Sequence, residues 1–235
     1  MYYPFSYYRF DPSMIILLPA ILLTIYAQAK VNANFNKYSK LASRRKQSGA
    51  QVARQLLDQN GLYNIPIEKS KGKLSDHYDP KNKILRLSEE VYQTGSIASV
   101  SVAAHEVGHA IQHAMGYRPL SLRNKVFPVA RVGSSAAWPL MLIGLLIPSL
   151  SGLMTVGIIL FSAAVLFQVI TLPVEFNASS RALRLLDENG YLLGEEIKGA
   201  KKVLNAAALT YVAAMASGLA QMFRLILIRN RNDSK

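Results

Sequence analysis

Long apolar blocks, uncharged apart from Arg224 in the last of them, alternate with basic polar stretches along the chain. The blocks run from Ser13 to about Ala29, from about Val132 to Leu172 and from about Val203 to Ile228. About 17–25 apolar residues suffice for a helix that crosses a bilayer. The first and third blocks each predict one such helix, and the second is long enough for two. The turn-forming residues of Pro148–Gly152 would join those two helices, so the pattern predicts about four transmembrane helices.

Two of these helices have an alternative interpretation. Ala27-Gln28-Ala29 resembles a signal-peptide cleavage site, but the basic cluster that begins at Lys30 follows the first block instead of preceding it. This order favours an uncleaved anchor. The third block precedes Arg229, Arg231 and Lys235, which four crossings would place outside the cell. A helix that lies in the membrane interface is the alternative there.

The polar stretch between the first two blocks has the pattern of a small α+β unit. We expect a helix over Ser48–Gln59 and a second helix from Ser96 to about Met115. Short strands are predicted at Ile65–Glu68, Leu74–Tyr78 and Ile84–Leu87. The predicted division of the chain is a tail and first membrane helix (1–29), a first polar segment (30–131), a membrane hairpin (132–172), a second polar segment (173–202), and a last membrane helix with its tail (203–235).

The charge distribution indicates which side of the membrane the polar segments occupy. The net charge is +13, and residues 30–131 hold 17 of the 27 lysines and arginines. Basic loops stay on the cytoplasmic side, so we expect segments 30–131 and 173–202 in the cytoplasm. The opposite arrangement, with both segments outside the cell, is the alternative. No nucleic-acid-binding motif accompanies the charge, so the expected partner is the lipid bilayer and not nucleic acid.

The predicted helix after Ser96 carries His105-Glu106-Val107-Gly108-His109. Two imidazoles four residues apart lie on one helical face and can bind one Zn²⁺. Glu106 is rotated around the helix and can act as a general base on a water. Two structural histidines in a buried helix are the alternative, but a buried glutamate without a partner is costly. The chain has no cysteine, so nitrogen and oxygen atoms must hold any metal.

A catalytic zinc site needs a third protein ligand and an open position for water. The candidates are His77, His113 and Glu175. His113 lies a further turn along the helix, about 6 Å away, which favours a supporting role. Glu175 follows the second apolar block, and two membrane crossings return it to the side that carries His109. We therefore expect one zinc per chain held by His105, His109 and Glu175, although Glu175 could instead pair with Arg181 or cap its helix.

Three segments together resemble the neutral zinc metallopeptidases of bacterial membranes, often called YugP-like. They are Leu74–Pro80, Ala104–Gln112 and Leu172–Ser179. The resemblance implies a mainly α, integral membrane, zincin-like metallopeptidase whose small cytoplasmic α+β domain bears the His-Glu-x-x-His helix. More distantly the layout is similar to the HtpX-like and Ste24-like membrane proteases. Those families carry an acidic residue four positions after the glutamate ligand, where this chain has Ser179.

The resulting hypothesis is hydrolysis of a peptide bond in a peptide or membrane-protein substrate, with Glu106 as the general base. His77, Tyr78 and Arg181 are candidates for the donor that stabilises the oxyanion. Weaker candidates for support of the ligands are His113, Asn177 and Ser179. A membrane scaffold or chaperone-type protein with a residual structural metal site is the alternative. The sequence leaves the substrate and the oligomeric state open.

Overall fold

The chain is mainly helical. The computed structural model describes residues 12–233, so part of the predicted N-terminal tail and the last two residues lie outside the described residues. Within this range the α-helices are α1 (Leu18–Tyr38), α2 (Gly49–Gln59), α3 (Glu89–Gln93), α4 (Ile97–Ala114), α5 (Arg118–Leu146), α6 (Gly152–Glu188) and α7 (Glu195–Asp233). The strands are β1 (Ile67–Ser70), β2 (His77–Asp79) and β3 (Ile84–Ser88), and 3-10 helices cover Pro12–Leu17 and Pro148–Leu150.

Within residues 12–233, four helical segments are long and apolar enough to cross a membrane. They are Ser13–Tyr38, Arg118–Leu146, Gly152–Glu188 and Glu195–Arg231. The prediction of a mainly α chain with about four such helices is confirmed, and the hairpin breaks at the expected Pro148. Each helix extends beyond its apolar block because the flanking polar residues still form helix, and hydropathy marks only the apolar part. The helix α1 is continuous through Ala27-Gln28-Ala29.

One compact unit comprises residues 12–25, 126–168 and 213–233. Its side chains Ala137, Met141 and Leu225 form a small buried cluster. Polar contacts also occur here, because the Thr24 and Ser217 hydroxyl groups lie 3.2 Å apart. Hydroxyl pairs of this kind satisfy polar groups where helices pack in an apolar environment.

The other compact unit comprises residues 26–125 and 169–212 and contains a three-stranded sheet in the order β1–β3–β2. Strand β1 pairs parallel to β3, with Ile67 opposite Leu85. Strand β2 pairs antiparallel to β3, with Tyr78 opposite Leu85, and so forms an edge of the sheet. The first two strands begin two and three residues later than the sequence pattern predicted, and the loop between them contains Gly72 at φ +100°.

The helix α4 lies in the core of this unit. Its Ser96 accepts a hydrogen bond from the backbone N–H of Ser99 and caps the helix. Small and β-branched residues cover most of its surface, and Val100, Ala104 and Val107 are almost fully buried. They pack with Leu56 of α2 in one hydrophobic cluster. This packing fixes α4, and with it the side chains of the His-Glu-x-x-His motif.

Candidate metal centre

His105, His109 and Glu175 come together in the structure. Their potential ligand atoms all lie within 4.8 Å of one another. The Oε2 atom of Glu175 lies 3.3 Å from Nε2 of His105 and 3.5 Å from Nε2 of His109. Glu175 and His109 are buried. Two imidazoles and one carboxylate that converge in this way form the donor set typical of catalytic zinc.

A close approach of α6 to α4 brings Glu175 to the histidines. Gly108, between Glu106 and His109, faces the backbone of Ala178, where an added Cβ would lie 2.7 Å from the carbonyl oxygen. Any side chain at this position would push the helices apart. The glycine of the motif therefore sets the distance between the two helices that carry the ligands.

Each histidine has a hydrogen-bond partner on its second ring nitrogen. The Nδ1 atom of His105 lies 3.1 Å from Oγ of Ser179, and Nδ1 of His109 lies 3.0 Å from Oε1 of Gln112. Such partners orient metal-binding imidazoles and fix their tautomer. Both Nε2 atoms consequently face the Glu175 carboxylate. Ser179 occupies the position where an acidic residue occurs in the more distantly similar families.

Glu106 lies beside the three converging residues. It is 8% exposed, and its Oε2 atom accepts a hydrogen bond of 2.9 Å from the backbone N–H of Tyr78. Since Tyr78 belongs to the edge strand β2, that N–H is directed away from the sheet. The sheet edge therefore holds the carboxylate in a defined orientation, which a general base requires.

A cavity of about 170 Å³ contains these groups. It is lined by Asp76, His77, Tyr78, Pro80, His105, Glu106, His109, Leu120, Arg123, Asn124, Glu175 and Tyr211. Two of its polar residues, Arg123 of α5 and Tyr211 of α7, were missed by sequence reasoning. Arg123 Nη1 lies 3.5 Å from Oε1 of Glu175, and the Tyr211 hydroxyl faces the same carboxylate. Neither belongs to a motif, so only the folded chain reveals them.

The other predicted site residues have different environments. His77 lines the cavity, but its side chain is exposed and its Nδ1 atom lies 2.8 Å from the carbonyl oxygen of Ser75. The hydroxyl of Tyr78 lies 2.9 Å from Nδ1 of His113, and His113 is not one of the three converging residues. Arg181 is not among the lining residues, because its guanidinium bonds to Asn177 and to the sulfur of Met115.

Burial and hydrogen-bond partners act in opposite directions on the pKa values of two groups here. Burial disfavours the charged form of His109, but the carboxylates of Glu175 and Glu106 outweigh this effect and raise the pKa of the imidazole. The pKa of Asp76 is raised by burial, against hydrogen bonds from the backbone N–H and the hydroxyl of Ser88. A positive charge is therefore favoured at His109, and a metal ion would supply one beside it.

Comparison with known proteins agrees with this geometry. Residues 13–230 match the model of a family described as "Putative neutral zinc metallopeptidase". The chain is 51% identical over 213 residues to the "Putative membrane protease YugP" of Bacillus subtilis (strain 168), which covers 91% of this chain and 94% of that protein. No solved structure matches the chain significantly.

Proposed function

The chain belongs to the family of neutral zinc metallopeptidases, and from this premise we propose that it is a membrane-embedded peptidase of the His-Glu-x-x-His type. The convergence of His105, His109 and Glu175 in one cavity with Glu106 carries the proposal. This arrangement combines a metal donor set with a carboxylate that is not part of it. A purely structural site has no need of that fourth group.

The donor set fits one zinc ion per chain. His105 and His109 would bind through Nε2, because their Nδ1 atoms already have partners in Ser179 and Gln112. Glu175 would bind through Oε2, the oxygen that faces both imidazoles. Zinc bound there supplies a Lewis acid that lowers the pKa of a water and polarises a carbonyl group.

Glu106 is the general base in this proposal. Its carboxylate accepts a proton from the attacking water and then donates that proton to the leaving amine. The Tyr78 N–H bonds to one carboxylate oxygen, so the other oxygen is available for the water.

Arg123 and Tyr211 join the sequence-predicted residues as candidates for the oxyanion donor. Arg123 and Tyr211 line the cavity next to Glu175, whereas Arg181 does not line it. His77 and Tyr78 also line the cavity, but the Tyr78 hydroxyl bonds to His113. A guanidinium or phenol hydroxyl next to the ligands can donate to developing negative charge on the substrate carbonyl.

The proposed substrate is a peptide or a segment of a membrane protein, cleaved on the cytoplasmic side. Support comes from the four apolar helices and from the basic residues of segments 30–131 and 173–202. A tag inserted after Lys40 tests the side. We expect it to be shielded from impermeant reagents in intact cells, and labelling of intact cells would favour a site outside.

The first experiment measures zinc content and cleavage of unfolded casein by detergent-purified protein. Wild type is compared with Glu106→Gln, Glu175→Ala and, as a matched control, Glu188→Gln at an exposed position of α6. We expect zinc and activity in wild type and control, zinc without activity in Glu106→Gln, and weakened zinc binding in Glu175→Ala. Wild type without metal would contradict the proposal. Metal without turnover of casein or of membrane-protein substrates would favour the scaffold alternative.

A further inference from the structure

Gln112 is a fully buried polar residue one turn after His109 on α4. Its exposed fraction is 0%, and its amide group makes three hydrogen bonds. Oε1 lies 3.0 Å from Nδ1 of His109, while Nε2 donates to the carbonyl oxygen of Val174 at 2.8 Å and to Oδ1 of Asn177 at 3.0 Å. A buried amide with this many partners is held in one orientation.

The partners determine which amide atom faces the histidine. Arg181 Nε donates to Oδ1 of Asn177 at 2.8 Å, and a guanidinium has no acceptor. This identifies the Asn177 atom as the oxygen. Gln112 therefore directs its NH₂ group at two acceptors, Asn177 Oδ1 and the Val174 carbonyl. Its remaining atom is an oxygen, so Nδ1 of His109 must donate to it.

We propose that Gln112 is the positioning residue of His109, supported by Asn177 and Arg181. By accepting the Nδ1 proton, Gln112 leaves the lone pair of Nε2 directed at the metal position. The inference rests on the proposed zinc site, and it assigns Asn177 and Arg181 to the support of a ligand and not to the substrate.

Gln112 also connects the two helices that carry the ligands. Its bond to the carbonyl of Val174 reaches the residue directly before Glu175. One side chain of α4 thus fixes the ring of His109 and contacts α6 beside the third ligand. A role in packing alone would need neither an acceptor towards His109 nor the polar contact with Asn177.

The test is the zinc dissociation constant of detergent-purified full-length protein, measured by chelator competition, together with the visible spectrum of the Co²⁺-substituted protein. Loss of a hydrogen-bond partner of a ligand typically weakens metal binding by about 10–100-fold. We expect zinc binding weakened by this factor in Gln112→Met, together with a changed Co²⁺ spectrum. The control Gln93→Met makes the same exchange at an exposed position of α3 and should leave both readouts unchanged.

Gln112→Met removes three buried hydrogen bonds and can impair folding. A second pair of variants, at Asn177 of α6, therefore tests the same hydrogen-bond network. Asn177→Leu removes the acceptor for Gln112, whereas Asn177→Asp keeps an oxygen for both Gln112 and Arg181. We expect weaker zinc binding in Asn177→Leu and zinc binding close to wild type in Asn177→Asp.

Three results would overturn the inference. One is zinc affinity and a Co²⁺ spectrum of folded Gln112→Met equal to those of wild type. Another is an equal effect of the two Asn177 variants on zinc binding. In both of these cases wild type still binds zinc, and the proposed function stands. The third is wild type that binds no zinc, and this result alone also removes the proposed function.

Discussion

Gly108→Ala tests whether the distance between α4 and α6 controls metal binding. The added Cβ would lie 2.7 Å from the carbonyl oxygen and 3.2 Å from Cα of Ala178, whereas ordinary contact begins at 3.4 Å. The helices must therefore separate by about 0.7 Å, the difference between 3.4 and 2.7 Å. The obstacle is backbone, which cannot rotate away as a flexible side chain can.

The expected effect on stability is smaller than the effect on the metal. Overpacking costs about 1–3 kcal/mol, but alanine stabilises a helix interior by about 0.5–1 kcal/mol relative to glycine. Metal–ligand distances tolerate only about ±0.2 Å. If the separation is carried through to Glu175, restoring the site costs a similar 1–3 kcal/mol, which corresponds to roughly fivefold to 150-fold weaker zinc binding.

The assay compares zinc affinity and thermal unfolding of the metal-free protein in detergent. Gly152→Ala is the matched control, since nothing lies within 4 Å of its added Cβ at the start of the same α6. We expect Gly108→Ala to bind zinc more weakly, with little change in the unfolding temperature of the metal-free protein. The control should match wild type in both measurements. Zinc affinity equal to wild type in folded Gly108→Ala would refute the reasoning.

Three further changes have defined outcomes. Glu106→Gln should lower casein hydrolysis by about 10²–10⁴-fold with zinc content unchanged, and loss of the zinc instead would show that Glu106 is a ligand. Ser179→Ala should weaken zinc binding by about tenfold, because one imidazole loses its Nδ1 partner; unchanged affinity in a chelator competition would contradict this. Hydrogen bonds from Asn82 and Arg86 hold the pKa of Asp79 well below its usual range. This carboxylate therefore stabilises the fold above the unfolded-state pKa of about 4 and loses that contribution as the pH falls further. Between pH 6 and pH 3 the unfolding temperature should fall less in Asp79→Asn than in wild type. An equal fall in both proteins would exclude this contribution of Asp79 to stability.

Part of the site could be predicted because its information is local in sequence. His105 and His109 are spaced by one helical turn, and that spacing determines their common face wherever the helix lies. The prediction that Glu175 is the third ligand needed one further argument. Two membrane crossings separate His109 from Glu175, so both residues lie on the same side of the membrane. Hydropathy predicted the membrane helices for a similar reason, since the length of an apolar block is read directly from the chain.

The contacts around the ligands depend on tertiary packing that no local pattern encodes. Arg123 lies in a basic stretch that sequence reasoning assigned to membrane orientation, and Tyr211 lies within an apolar block. Gln112 carried a weak signal, because a glutamine three residues after His109 shares its helical face. Ser179 carried one as well, four residues after Glu175. Neither signal identifies a partner until α4 and α6 are placed together.

The charges of the cavity indicate why it suits a cation and not simply a packed core. Glu106 has the N–H of Tyr78, and Asp76 has the N–H and hydroxyl of Ser88. Glu175 has Arg123 beside Oε1, its Oε2 faces the two imidazoles, and the Tyr211 hydroxyl also faces this carboxylate. A buried carboxylate without a positive partner at this oxygen is costly, and a metal ion bound between the three residues would lower that cost. Since the Nδ1 atoms are already held by Ser179 and Gln112, the lone pairs that remain point inward, and a divalent ion satisfies all three ligands at once.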